Sequence, residues 1–328
     1  MGIQSKPSVD RPSAPVRLSA VIPVYNGAKT IVPLVEMLQR ELGGKYDLEV
    51  VLVNDCSADS SADKCRGLAE RFSWVKFINL SKNFGEHNAV MAGLSFCTGD
   101  CAVILDDDFQ NPPSEVDKLA SKLQEGYDVV FAYYEKKQHH FLRNLGSRFN
   151  NFIATTLLNK PFDLYLCSFK VINRFLIDEV TKYQGPYPYL DGLILRTTRN
   201  YGTQLVEHSK REKGESNYTT VKLIRLWLNM FTNFSILPLR VASMVGFLFS
   251  LLGFLYAISI VIEKILNPEL PLGWTSLIST VLIVSGVQLF AIGMIGEYLG
   301  RLFLKDNGSP QYVARETVNC EPVEAQRS

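Results

Sequence analysis

The chain has little of what marks a secreted, zinc-binding or nucleic-acid-binding protein. Its six cysteines, Cys56, Cys65, Cys97, Cys101, Cys167 and Cys320, contain no Cys-x-x-Cys pair and no disulfide framework, which fits a reducing compartment. The four histidines lack the spacing of zinc ligands, so any metal is expected to be a hard ion held by carboxylates. Formal net charge is only +1, with no long basic run, and nothing points to nucleic acid as a partner. No Gly-x-Gly-x-x-Gly follows the first strand candidate and no Gly-x-x-x-x-Gly-Lys occurs, which argues against a dinucleotide dehydrogenase and a P-loop kinase. Residues 1–16 are expected to be a disordered tail: Met1 to Pro15 is rich in Ser and Pro and lacks the apolar core of a signal peptide.

Charge is missing from two further places. Val241 to Ile262 is a run of 22 uncharged residues, and Leu270 to Gly296 is a run of 27. A hydrocarbon core needs about 20. A buried hairpin of a soluble protein would usually keep a polar face, and these runs have almost none. Residues 238–296 are therefore expected to form two transmembrane helices with a short loop near 263–273. That loop carries Lys264 as its one basic residue; Lys222, Arg225 and Arg240 precede the spans, and Arg301 and Lys305 follow them. The positive-inside rule places both termini in the cytoplasm. Residues 297–328 then form a cytoplasmic tail, polar and loose from Asp306 onward. In 219–237, Leu223, Leu226, Trp227, Met230, Phe231 and Phe234 recur at helical spacing, with Lys222, Arg225 and Asn229 elsewhere on the wheel. This is a juxtamembrane amphipathic helix, either interfacial or core-facing. Phe141, Leu145, Phe149, Phe152 and Ile153 make a second such candidate.

Residues 17–218 read as alternating strand and helix. Strands are expected at Leu18–Pro23, Leu48–Val53, Val75–Leu80, Cys101–Leu105 and Tyr127–Ala132, with helices between. That alternation implies an α/β domain with a mainly parallel sheet. Ligands in such sheets sit beyond the carboxyl ends of the strands. Four of these ends carry polar sequences: Tyr25-Asn26-Gly27, Asn54-Asp55-Cys56-Ser57, Ser81-Lys82-Asn83-Phe84-Gly85, and Asp106-Asp107-Asp108-Phe109-Gln110.

Adjacent carboxylates raise one another's pKa unless a cation lies between them. In an extended stretch Asp106 and Asp108 point to the same side and could hold Mg2+ or Mn2+, with Gln110 two residues further on. The competing reading is a solvated acidic turn. Asp55 suits a hydrogen bond to a nucleobase N–H, or a local turn.

At these residues the chain resembles the family-2 glycosyltransferases, and most closely the bacterial polyprenyl-phosphate (undecaprenyl-phosphate) glycosyltransferases, relatives of dolichol-phosphate mannose synthase. The motifs are Val21-Ile-Pro-Val-Tyr-Asn26, Val53-Asn-Asp-Cys-Ser-Ala-Asp-Ser60, Leu105-Asp-Asp-Asp-Phe-Gln-Asn-Pro-Pro113 and Arg211-Glu-Lys-Gly-Glu-Ser-Asn-Tyr218. Leu237-Pro-Leu-Arg240 and Ile295-Gly-Glu-Tyr-Leu-Gly-Arg301 add to the match. The resemblance implies an A-type glycosyltransferase (nucleotide-diphospho-sugar transferase) fold with a C-terminal transmembrane hairpin. It implies donor binding by Pro23, Tyr25, Asn26, Asp55, Lys82, Asp106 and Asp107, and by Arg211, Ser216 and Tyr218 on a loop that closes over the phosphates. Metal falls to Asp106, Asp108 and Gln110, and catalysis to Asp108 and Asp163. Four positions depart from the family pattern: Gly27 stands where Glu is frequent, Asp107 where a small residue is usual, Lys170 where Arg is common, and Asn217 where Lys is frequent.

The implied reaction is inverting transfer of a sugar from a nucleotide-sugar, UDP-sugar favoured, to polyprenyl phosphate. It is expected at the cytoplasmic face of the bacterial inner membrane, in contact with lipid, and the relatives' hairpins suggest a homo-oligomer. Two other classes stay open: a processive polysaccharide synthase, whose Gln-x-x-Arg-Trp motif is missing here, and a non-catalytic nucleotide-sugar-binding membrane scaffold. Because every candidate donor ligand precedes residue 219, residues 1–218 alone are expected to bind nucleoside diphosphate.

Overall fold

The computed structural model describes residues 15–134, 164, 166–207, 237–266 and 273–321. They divide into two units. The first holds an eight-stranded sheet in the order β7-β5-β6-β4-β1-β2-β3-β8. Its elements are β1 (Arg17–Val24), α1 (Ile31–Leu42), β2 (Asp47–Asn54), α2 (Ser61–Arg71), β3 (Val75–Leu80), α3 (Glu86–Phe96), β4 (Cys101–Ile104), a 3-10 turn (Pro113–Glu115) leading into α4 (Val116–Leu123), β5 (Val129–Tyr133), β6 (Lys170–Asn173), α5 (Arg174–Val180), α6 (Leu190–Thr197), β7 (Tyr201–Leu205) and, far along the chain, β8 (Ala314–Val318). The second unit holds α7 (Leu237–Leu266) and α8 (Trp274–Asp306).

β1, β2, β3 and β4 run parallel at the centre. Every residue of β2 after Asp47 is buried, as expected of an apolar strand covered on both faces. α1 buries Ile31, Leu34, Val35, Leu38 and Leu42, one stripe at helical spacing. α3 comes closer to the sheet than a side chain at Gly93 would permit: a Cβ there would collide with Val21 and lie 3.1 Å from the Val53 methyl. That close seat fixes where the loop before α3 meets the strand ends.

The five expected strands are all present, but the sheet is more mixed than an alternating pattern implies. β6 inserts antiparallel between β4 and β5, and β5 pairs parallel with β7. β6 has only four residues and opens on a lysine, so it carries no strand signature of its own.

The expectation of a loose end beyond Asp306 fails for residues 310–320. β8 pairs antiparallel with β3, setting Val318 opposite the fully buried Phe77. Arg66 of α2 grips Glu316 in a bidentate pair, Nε to Oε1 at 2.7 Å and Nη2 to Oε2 at 2.8 Å. Asn319 Nδ2 donates to the carbonyls of Ala69 (2.6 Å) and Val75 (2.9 Å). Buried Gln311 donates to the carbonyls of Tyr183 (3.3 Å) and Gly185 (3.2 Å), and Ser81 N donates to Val313 O at 2.9 Å. The return strand covers the β3 edge, which would otherwise present unpaired backbone groups.

In the second unit α7 and α8 pack on one another. Phe247, Phe254, Leu289 and Phe290 are each more than 60% exposed, a poor arrangement in water and a natural one in lipid. Among the described residues one stretch, Ile283–Leu304, is long and apolar enough to cross a membrane, and none of it is buried; α7 contributes the shorter Ala242–Tyr256. The stretch so identified in α8 takes in Glu297 and Arg301 at its carboxyl end. Both candidate interfacial segments, 141–157 and 219–235, lie outside the described residues.

The position of β8 corrects the expectation for residues 1–218, which lack it. That fragment should aggregate or unfold about 5–10 °C below a version in which residues 219–309 are replaced by a flexible linker and 310–328 are kept, as a loss of ~2–3 kcal/mol would produce in a domain this size. Thermal unfolding with light scattering compares the two; equal stability would show that β8 is dispensable.

Candidate active site

Because β4, β1, β2 and β3 are adjacent and parallel, their carboxyl ends share one edge of the sheet. Three of the loops there contain a non-glycine residue in the left-handed region: Asn26 (φ 59°), Cys56 (φ 54°) and Phe109 (φ 61°). Such backbone costs energy for residues other than Gly and Asn, and clusters at functional loops. Hydrogen bonds hold the first two turns together. Asn26 N donates to Ser57 Oγ at 2.9 Å, and Asn26 Oδ1 accepts from Ala58 N at 2.9 Å. Pro23 ends β1 beneath them, and the Tyr25 ring is 46% exposed, open to stack on a flat group.

Asp55 is buried, and its carboxylate spans to the next loop. Oδ1 accepts from Phe84 N at 2.7 Å and Oδ2 from Gly85 N at 2.9 Å. Burial pushes its pKa up despite these two bonds. Asp55 therefore orders the Ser81–Gly85 loop; each oxygen keeps a second lone pair with which a nucleobase N–H could also be met. Lys82 is exposed on that loop, its ammonium 4.9 Å from the centre of the Phe84 ring.

The acidic loop follows β4. Half-buried Asp106 accepts from Ser168 Oγ at 2.8 Å. Its carboxyl is pushed up to about 6, first by burial, then by the negative charges of Glu86 and Asp108; Ser168 and Lys170 pull the other way. Asp108 Oδ1 accepts from Gln110 N at 3.1 Å, so the loop does contain the tight acidic turn that the alternative reading describes. Phe109 packs on the hydrophobic core. Buried Asn111 accepts from Tyr134 Oη at 2.6 Å, and Pro113 opens the 3-10 turn that carries the chain away.

Beside Asp106 lies a polar group of residues of which the sequence analysis singles out only Lys170. Lys170 and Asp191 form a buried ion pair, with the Lys170 ammonium 5.4 Å from the centre of the Phe131 ring. His87 meets Tyr189 edge-on at 5.1 Å, and burial pushes its pKa down to about 4, so the ring is neutral at physiological pH. Asp191 had a detectable signal: it is a lone acid within the apolar run Leu190 to Leu195. Ser168, Glu86 and His87 had none.

Among the described residues no three or more His, Cys, Asp or Glu side chains form a ready-made metal cage. The donor set still fits Mg2+ or Mn2+. Asp106 and Asp108 offer hard oxygens on one loop, Gln110 follows two residues on, and the negative charges of Glu86 and Asp108 add to burial in pushing the Asp106 pKa up. Mg2+ sites commonly use one or two carboxylates and take their remaining ligands from water and substrate phosphates. Asp163, Arg211, Ser216 and Tyr218 lie outside the described residues.

Comparison with known proteins bears on this arrangement. The model of Glycosyl transferase family 2 matches residues 19–181, and that of the GtrB C-terminal hairpin matches 227–302. The undecaprenyl-phosphate 4-deoxy-4-formamido-L-arabinose transferase of Enterobacter sp. (strain 638) is 34% identical over 92% of this chain and 94% of its own length. The protein of the same name from Serratia proteamaculans is 33% identical over 93% and 95%. Among solved structures, the UDP complex of Mycobacterium tuberculosis glucosyl-3-phosphoglycerate synthase superposes with a TM-score of 0.48 at 16% identity, covering 66% of this chain and 79% of that one. With relatives matching nearly end to end, and the polar loops after β1, β2, β3 and β4 gathered on one sheet edge, the chain belongs to glycosyl transferase family 2: it is a glycosyltransferase of the A-type fold that carries a GtrB-type C-terminal hairpin.

Proposed function

We propose that this enzyme transfers a sugar from a UDP-sugar to undecaprenyl phosphate, with inversion, at the cytoplasmic face of the bacterial inner membrane. The observation that carries the reading is the Asp106–Asp108 pair, crowded by Glu86 and facing the nucleotide loops, in a chain whose near full-length relatives are named undecaprenyl-phosphate sugar transferases.

Asp106, Asp108 and Gln110 would hold Mg2+ or Mn2+ against the donor diphosphate. A divalent ion there supplies charge neutralisation for the leaving group. Tyr25, Asn26 and the Asp55-ordered loop receive the nucleoside. Arg211, Ser216 and Tyr218 are assigned to the phosphates. A phosphate monoester has a second pKa near ~6 and is mostly dianionic at neutral pH, so the acceptor oxygen needs little help to attack. One displacement at the anomeric carbon inverts it. Asp163 then positions the acceptor more than it removes a proton.

The fold supports the topology. The chain leaves the sheet after β7 and rejoins it at β8, within one unit. A segment that departs from and returns to the same side of a bilayer crosses it an even number of times. Lys222, Arg225, Arg240, Arg301 and Lys305 flank the hairpin, against Lys264 alone in its loop, a bias that supports the cytoplasm as that side.

The test is transfer by the purified full chain in bilayers containing undecaprenyl phosphate, with a panel of UDP-sugars, the 4-deoxy-4-formamido-L-arabinose donor among them. A lipid-linked monophosphate sugar is expected from at least one donor; UDP-sugar binding without any lipid product overturns the acceptor. Loss of a metal ligand should remove several kcal/mol of transition-state stabilisation, about 100-fold or more in rate for Asp108→Asn. Asp163→Asn should be the milder defect in the same assay, and the reverse order would make Asp163 a full catalytic base.

Asp106 also predicts a pH dependence. Its pKa rises from the ordinary 3.8 to about 6 on folding, so the folded state favours the protonated form. Its contribution to stability is complete below the unfolded value and is lost as pH rises through about 6. In metal-free protein, Asp106→Asn should raise the unfolding temperature at about pH 7.5 and much less at about pH 4.5. Mn2+ at the higher pH should stabilise the wild type and leave the variant nearly unchanged. A variant less stable than the wild type at the higher pH would contradict this.

A further inference from the structure

The middle aspartate of the acidic loop has no part in the metal set, and Gly27 lacks a side chain without needing to. Gly27 is not among the residues with positive φ, so its backbone is open to any L-residue. The obstacle is spatial. A Cβ at Gly27 would overlap the Asp107 carboxylate, with Asp107 Cγ at 3.0 Å and Val24 Cγ1 at 3.2 Å. The two loops concerned follow β1 and β4, neighbours in the sheet.

The surroundings of the three aspartates differ. Glu86 and Asp108 are the acids that face Asp106, whereas Asp107 and Asp59 are the acids that face the buried Cys65 thiol on α2. Phe109, two residues after Asp107, turns to the hydrophobic core, while Asp108 closes the turn onto Gln110 N. Asp107 and Asp106 thus face opposite ways across the loop.

The seat also suits a negative charge. Gly27 O accepts from Thr30 N and Ile31 N, each at 3.0 Å, so the turn at Gly27 opens α1. α1 has no acidic residue in its first turn and no side-chain cap, and the amino end of a helix favours an anion.

The geometry points to Gly27 and Asp107 as one positioning unit: the missing side chain at 27 makes room for the Asp107 carboxylate, which seats the acidic loop on the β1–α1 turn so that Asp106 and Asp108 face the donor diphosphate together. This rests on the metal-and-donor reading above and extends it to two residues that touch neither metal nor sugar. Two of the departures from the family pattern, at 27 and at 107, are then a single exchange.

The experiment is a double-mutant cycle in the full-length enzyme, with Gly27→Ala, Asp107→Ala and the pair. It reads the Mn2+ concentration for half-maximal UDP binding and for half-maximal transfer, and kcat at saturating Mn2+. Misplacing reacting groups by about 1 Å costs up to ~100-fold, so Gly27→Ala should raise half-saturation by ~10-fold or more while kcat at saturating Mn2+ largely recovers. Asp107→Ala should do the same, and adding Gly27→Ala to it should do no further harm, the non-additivity of residues in contact. Asp107→Asn, which keeps the side chain's shape, should stay within a few-fold of wild type and covers the case in which an alanine variant does not fold. Equal Gly27→Ala effects in both backgrounds, or unchanged half-saturation in both single variants, overturn the unit. An Asp107→Asn defect as deep as that of Asp108→Asn makes Asp107 a ligand and overturns it too. Wild-type UDP binding and transfer indifferent to Mn2+ overturn the donor reading and this unit with it; a metal-dependent wild type with additive variants overturns the unit alone.

Discussion

Everything at the active edge depends on keeping like charges close together at the end of a buried strand. Asp106 and Asp108 stand on one loop and Glu86 faces Asp106 from the start of α3, so a charge in this group is costly without a cation. The rest of the loop resists the resulting tendency to splay. Ser168 holds Asp106, the Gln110 amide holds Asp108, Phe109 is embedded in the core and Asn111 is bonded to Tyr134. Lys170 is close enough to moderate the charge but is occupied by Asp191. The buried ion pair thus divides the Lys170 charge between Asp191, which it contacts, and Asp106, which it offsets only in part.

The same economy of parts shows at Asp55. A carboxylate at the end of β2 could serve a ligand or the fold, and the structure gives it the fold first: two backbone amides of the next loop occupy one lone pair on each oxygen. The loop that carries Lys82 is also held by Asn83 Nδ2 on Asp55 O (3.3 Å) and by Asn88 Nδ2 on Phe84 O (2.7 Å). A binding loop made rigid by a buried acid loses less conformational entropy when the ligand arrives.

What was legible in the sequence follows from what leaves a local trace. β1 to β4 are buried on both faces and read as apolar runs, and their polar ends do share one sheet edge. β6 and β8 left no such trace. β6 is a four-residue strand that opens on a charged lysine. β8 is Ala-Arg-Glu-Thr-Val, half exposed, and its partner β3 lies more than 200 positions earlier. Pairing at that separation is specified by Arg66, Phe77 and Asn319 acting across the fold, and no window of sequence contains them together. The Lys170–Asp191 pair and the Gly27–Asp107 contact are invisible for the same reason: each is a fact about two loops that meet only in three dimensions.

The placement of β8 bears on what the hairpin is for. A membrane anchor added to a finished domain would leave the soluble sheet complete without it. Here the hairpin is an insertion between β7 and β8 of a single sheet, so the catalytic unit is tied to it at both ends. The return segment is bonded to the Tyr183–Gly185 turn through Gln311 and to Ser81 through Val313. Ser81 begins the loop ordered by Asp55, and the Tyr183–Gly185 turn precedes the helix that carries Asp191. The return segment thus joins the Ser81 loop and the Tyr183–Gly185 turn to the far end of the chain within one unit, so residues that follow the hairpin help to order loops that precede it by more than 120 positions.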